Sequence, residues 1–119
     1  MRSIEGEAVL AGKPVNGDLA LEIKFRIGST NRVEFLQTVD ALMITSSEEP
    51  GLRAVGCFEQ LGVENTFLWR EYWLSEADLA GRLRATSLRT LLGAIDVLGE
   101  LEAFEILQTS RRSPGRDGT

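Results

Sequence analysis

Apolar and polar positions alternate from Leu19 onward: Leu19, Leu21, Ile23, Phe25 and Ile27 are separated by Ala20, Glu22, Lys24 and Arg26. Period two with one apolar face predicts a half-buried strand, which Gly28 ends. Thr30 or Asn31 can cap the element that follows, and Asn31 has Glu34 three residues on, a capping-box spacing. Val33, Phe35, Leu36, Val39, Leu42 and Met43 then recur at helical spacing, until Ser46-Ser47-Glu48-Glu49-Pro50-Gly51 breaks the pattern. Two extended runs, Leu52 to Leu61 and Thr66 to Leu74, flank a turn at Gly62-Val63-Glu64-Asn65 and predict a hairpin. In the second of these, Phe67, Trp69, Glu71 and Trp73 face one side while Leu68, Arg70, Tyr72 and Leu74 face the other. Large side chains on both faces predict that the sheet is covered twice, once by its own helices and once by a second copy of the chain.

Ser75 is a natural N-cap, with Glu76 and Asp78 in the first turn where the helix dipole favours negative charge. Leu79 and Leu83 are expected to point inward. The pattern hesitates at Ala85-Thr86-Ser87 and resumes with Leu88, Leu91, Leu92 and Ile95, with Gly99 as a C-terminal cap. Residues Glu102 to Ser110, with Phe104 and Ile106 on one face, predict a last strand. Strand, helix, strand, strand, helix, strand is the order of a ferredoxin-like α+β unit, a βαββαβ antiparallel sheet with both helices on one face. This unit spans residues 19–110. Residues 1–18 hold a short apolar stretch, Ala8 to Ala11, between glycines and Pro14, and fit either an extra edge strand or a loose arm.

Composition narrows the chemistry. A chain of 119 residues, 43% hydrophobic, holds one domain with one core. It has no apolar run near the roughly 20 residues of a membrane span, nor the apolar segment of a signal peptide, so the expectation is a cytoplasmic protein without a membrane partner. Net charge is −5. Because Arg111, Arg112 and Arg116 sit in the tail, the rest is more acidic still, which argues against nucleic acid. Residues 111–119 are turn formers without an apolar side chain and predict a mobile basic tail, or a basic interaction segment. There is no histidine and one cysteine, Cys57. That removes the commonest general base and metal ligand, so neither a metal nor another cofactor is expected. In its strand, Cys57 reads as a buried thiol. Glu71 shares a face with Trp69 and Trp73. If buried, it is either paired, as with an arginine, or carries a raised pKa suited to a general base.

Three local marks lie in this frame: Glu49-Pro50-Gly51 before the second strand, Glu71-Tyr72-Trp73 with Ser75 at the end of the third, and Leu88-Arg89 with Leu91-Leu92-Gly93 in the second helix. With them, the stretch from Leu19 to Ser110 resembles the antibiotic biosynthesis monooxygenase family of dimeric α+β barrel proteins. The resemblance implies a homodimer and cofactor-free oxygenation of a small aromatic or quinol-like substrate, whose anion reacts directly with oxygen in an apolar pocket. It places the family's pocket tryptophan at Trp73 and its helix arginine at Arg89. The sequence departs from the pattern where the family's strand asparagine falls at Trp69 and its pocket tyrosines at Cys57 and Leu79. It departs again at Arg82 and Ser87, where many relatives carry histidine. Haem-degrading relatives need a helix histidine, which this chain lacks. Two readings follow: an oxygenase using Trp73, Arg89 and Glu71, with Trp69, Cys57, Leu79 and Arg82 around the pocket, or a catalytically silent dimer that binds a ligand or a protein.

Overall fold

The computed structural model describes residues 8–12 and 19–108. Strand β1 (Ala8–Gly12) precedes β2 (Leu19–Ile27), helix α1 (Arg32–Ser47), the hairpin β3 (Leu52–Glu59) and β4 (Thr66–Trp73), helices α2 (Glu76–Arg84) and α3 (Thr86–Leu98), and β5 (Gly99–Gln108). The five strands form one sheet in the order β1-β3-β4-β2-β5, and every neighbouring pair is antiparallel. Strands β2 to β5 with the helices are the ferredoxin-like unit. Ala8–Gly12 pairs with Ala54 to Phe58 of β3. The remainder of residues 1–18, the end of the last strand at Thr109 and Ser110, and the 111–119 tail lie outside the described residues.

One face of the sheet meets the helices. Leu21, Ile23, Phe25 and Ile27 of β2 are all at most 1% exposed, and Phe25, Phe35 and Phe67 form an aromatic cluster with ring centroids 4.8–5.8 Å apart. Helix α1 buries a narrower stripe than its sequence predicts: Phe35, Val39, Met43 and Ser46 are buried, whereas Val33 is 67% exposed and Leu36 also faces outward. Asn31 makes no side-chain cap. Its Nδ2 instead donates to the Leu98 carbonyl at 3.0 Å, tying the start of α1 to the end of α3. Ser75 does cap α2, accepting from the Asp78 backbone N–H at 3.2 Å. The hesitation at residues 85–87 is a real break, with Ala85 extended between the two helices. Within α2, Leu79 is buried but Leu83 is not, because Arg82 takes the inward position beside it.

Helix α3 passes into β5 with no loop, so the last strand starts three residues before Glu102. Gly99 at this junction is extended rather than left-handed. Its glycine requirement is one of space: a Cβ there would lie 1.9 Å from the Arg26 carbonyl oxygen of β2. Phe104 and Ile106 share a face, as their spacing predicts, yet stay 38% and 46% exposed because β5 is the outermost strand and the helices do not reach across it. Among the described residues no helix is long and apolar enough to cross a membrane.

Candidate functional site

Alternation along β4 puts Phe67, Trp69, Glu71 and Trp73 in one row beneath the helices. A carboxylate in such a row must be met by donors, since an unpaired buried charge is far too costly. Glu71 is fully buried and receives four hydrogen bonds. The indole nitrogens of Trp69 and Trp73 donate from two residues either side, at 2.8 and 3.0 Å. Arg82 closes the carboxylate from α2 with a bidentate pair, Nε at 3.0 Å and Nη2 at 2.5 Å. The guanidinium also donates to Ser46 of α1 at 3.1 Å and to Ser87 of α3 at 2.6 Å, and the Ser87 hydroxyl passes the chain on to Glu49 at 2.7 Å. One network therefore joins β4 to all three helices. Arg82 is 1% exposed, an arginine held entirely inside the core by these partners.

The chemistry of this centre follows from saturation. A carboxylate offers about four acceptor sites, and those of Glu71 are taken, so no lone pair is left for a substrate proton. Of the two alternatives for Glu71, the structure contains the ion pair. Trp69 and Trp73 are 0% exposed, so neither ring presents a face to a ligand. Leu79 is buried in the same core. Arg89 stands apart: it is exposed on α3, its Nη2 donating to the Arg84 carbonyl at 3.4 Å. Of the residues singled out in the sequence, Glu71, Trp69, Trp73, Leu79 and Arg82 thus form a closed core group, and Arg89 lies apart on the surface.

An open cavity of about 300 Å³ lies between α1 and β3, lined by Arg32, Leu36, Val39, Asp40, Cys57, Glu59 and Phe67. Its floor is apolar. At one side Arg32 grips Glu59 with Nη1 at 2.5 Å and Nη2 at 2.8 Å, and Nη1 also reaches Asn65 Oδ1 at 2.9 Å. The Asn65 backbone N–H donates to Glu59 at 2.8 Å, an arrangement made by a turn in which Asn65 has φ of 66°. The guanidinium lies 5.8 Å from the centroid of the Phe67 ring. Hydrogen bonds from Arg32 hold the Glu59 carboxyl below its usual range, outweighing burial. The grip therefore stabilises the fold above the ordinary carboxylate range and is lost as pH falls through the lowered value. Arg32, Asp40 and Glu59 were not legible as site residues. The acid-to-base pairing crosses from a helix start to a strand end, and only the turn-forming Asn65 hints at where they meet.

Cys57 does line a cavity, but as an inert group: burial, reinforced by the nearby Glu59 charge, pushes its thiol up to about 12. Raised above its unfolded value, the thiol favours the folded state below about pH 9, and this is lost as pH climbs toward 12. An aromatic disulfide reagent at pH 8 should leave Cys57 unmodified in the folded protein and titrate one thiol in denaturant. Rapid labelling of the native state would contradict this.

Among the described residues no group of three histidine, cysteine, aspartate or glutamate side chains is arranged to hold a metal ion. No protein-family model matches the chain, and no curated protein sequence matches it at significance. Solved structures do. A conserved protein from Bacteroides thetaiotaomicron is 24% identical, with 79% of this chain aligned to 99% of that one at a TM-score of 0.68. A variant of SnoaB, a cofactor-independent oxygenase from Streptomyces nogalater, aligns 82% of this chain with 96% of its own at 13% identity and a TM-score of 0.69. A ferredoxin-fold protein from Listeria monocytogenes related to antibiotic biosynthesis monooxygenases covers 93% of this chain and 70% of its own, at 15% identity and a TM-score of 0.68. The chain has the fold of the antibiotic biosynthesis monooxygenase-related proteins. Within this monooxygenase-related fold, the three positions where the resemblance implies polar pocket groups, Trp69, Cys57 and Leu79, are all buried here.

Proposed function

We propose that this protein is a dimeric, cofactor-independent monooxygenase of a small aromatic or quinol-like substrate, which it binds in the cavity between α1 and β3. The observation that carries the reading is the cavity itself, about 300 Å³ with an apolar floor and charged groups at its edge, the usual make-up of a small-molecule site. The names of the fold's neighbours support oxygenation as the reaction class. Phe67 offers a ring face, and Asp40 is a carboxylate with no hydrogen bond or ion pair among the described residues, available to accept a phenolic proton. The resulting anion gives up electrons to oxygen directly. When a ring CH2 becomes a carbonyl, one oxygen atom enters the product and the other leaves as water, the substrate supplying all four electrons. The protein's part is orientation and exclusion of water.

Oxygen uptake with a panel of hydroquinones and anthrone-like phenols tests the reaction, with ligand binding followed in parallel. Turnover should rise with pH and fall about a hundredfold or more in Asp40→Asn, an effect typical of losing one general base. The second reading, a catalytically silent binding protein, is favoured by the saturation of Glu71 and the distant placement of Arg89; binding without oxygen uptake across the panel would establish it. The dimer has its own support. Leu68, Arg70 and Tyr72 of β4 face away from the helices, and β5, at the edge of the sheet among the described residues, exposes Leu101, Phe104, Ile106 and Leu107 by 38–47%. Sedimentation at micromolar concentration should give twice the chain mass; a monomer would remove the need for a second cover on the sheet.

A further inference from the structure

Three charged side chains line the α1–β3 cavity: Arg32, Glu59 and Asp40. Two of them cancel. Arg32 gives the parallel pair of N–H groups on its two terminal nitrogens to Glu59, a third N–H to Asn65, and rests over the Phe67 ring. The Glu59 carboxylate is in turn engaged by Arg32 and by the Asn65 backbone. What remains is the negative charge of Asp40, beside an apolar floor of Leu36, Val39, Cys57 and Phe67.

Anion recognition by arginine rests on a two-pronged donation, and here that fork is already occupied by the protein's own carboxylate. A ligand carboxylate entering the cavity would meet two fixed negative groups and would have to break the Arg32–Glu59 pair to find a cation. An uncharged phenol asks for no such exchange, and an ammonium gains from Asp40. We infer that the cavity takes uncharged or cationic small aromatics and turns away aromatic carboxylates, with the Arg32–Glu59 pair as the specificity-determining element. The inference rests on the cavity being the ligand site and narrows the substrate class of that site.

Calorimetric titration at neutral pH with naphthol, naphthylmethylammonium and naphthoate, three probes of one ring system, tests it. Naphthoate should bind at least about tenfold more weakly than naphthol, the size expected for one uncompensated charge near a protein surface. Glu59→Gln frees the Arg32 fork and should raise naphthoate affinity about tenfold while lowering that of the ammonium. Should Glu59→Gln fail to fold, Asp40→Asn on the exposed side of α1 is the second arm and should shift the two charged probes in the same directions. Naphthoate binding as tightly as naphthol to the parent protein, or unchanged selectivity in the folded variants, would overturn the inference while leaving the cavity as the site. Binding of none of the three probes would overturn the cavity reading and this inference together.

Discussion

Arg82→Leu is expected to lose about 3–5 kcal/mol of stability, the usual cost of removing one partner of a buried ion pair. Against a total of about 5–15 kcal/mol for an ordinary domain, that leaves a protein close to unfolding. The reason is the unpaired Glu71 carboxylate, which would keep its two indole donors but lose both guanidinium bonds in a site without water access. The side chains of Ser46 and Ser87 would lose a donor as well. Glu71→Leu should be comparably damaging, because it strands a buried cation. The double variant, with the pair replaced by two apolar side chains, should recover part of the loss, since apolar replacement of a whole pair is often close to neutral. Urea unfolding of the three variants measures this. A double variant as unstable as the sum of the singles would show that the pairing is not the source of the cost.

Trp73→Ala should cost about 3–5 kcal/mol by leaving a large void under α2, whereas Trp73→Phe should cost about 1–3 kcal/mol, mostly through the lost N–H bond to Glu71. The pair separates packing from hydrogen bonding. It also separates the core from the proposed site: Trp73 does not line the α1–β3 cavity, so naphthol affinity in Trp73→Phe should match the parent. A loss of naphthol binding out of proportion to the loss of stability would return Trp73 to the ligand site, where the family resemblance places it.

The strands and helices were largely legible because β2, β4 and α3 each bury one clean face, and period alone reveals such a face. Reading failed where a position serves a distant partner. Leu83 looked inward, since hydropathy alone ranks leucine as core; it faces out because Arg82 takes the inward position to reach a buried carboxylate on β4. Asn31 had the spacing of a capping box, but its amide is drawn across to the end of α3. Glu71 was legible as a charge needing an answer, from its register with two tryptophans, while the identity of that answer depended on how α2 docks. Of the open cavity's lining, only Cys57 was among the pocket candidates read from the sequence. The cavity is built from Arg32, Asp40 and Glu59, polar residues of a kind found on any helix or strand surface, and becomes distinctive only when the chain brings α1 against β3.

The position of β2 in the sheet constrains how the chain is assembled. Its two neighbours are β4 and β5, and β5 is the last described element, so the row that matches Leu19 with Gln108 closes across nearly the whole domain. Contacts of such long sequence separation slow folding, because the loop entropy is lost before the contact is made. During synthesis β2 emerges early and then waits with one hydrogen-bonding edge open until Gly99–Gln108 has left the ribosome. An unpaired edge carrying Ile23 and Phe25 is a template for pairing with the wrong chain. Termination anywhere before Gly99 should therefore yield aggregates rather than a smaller soluble domain, and the domain's solubility is decided by the arrival of β5.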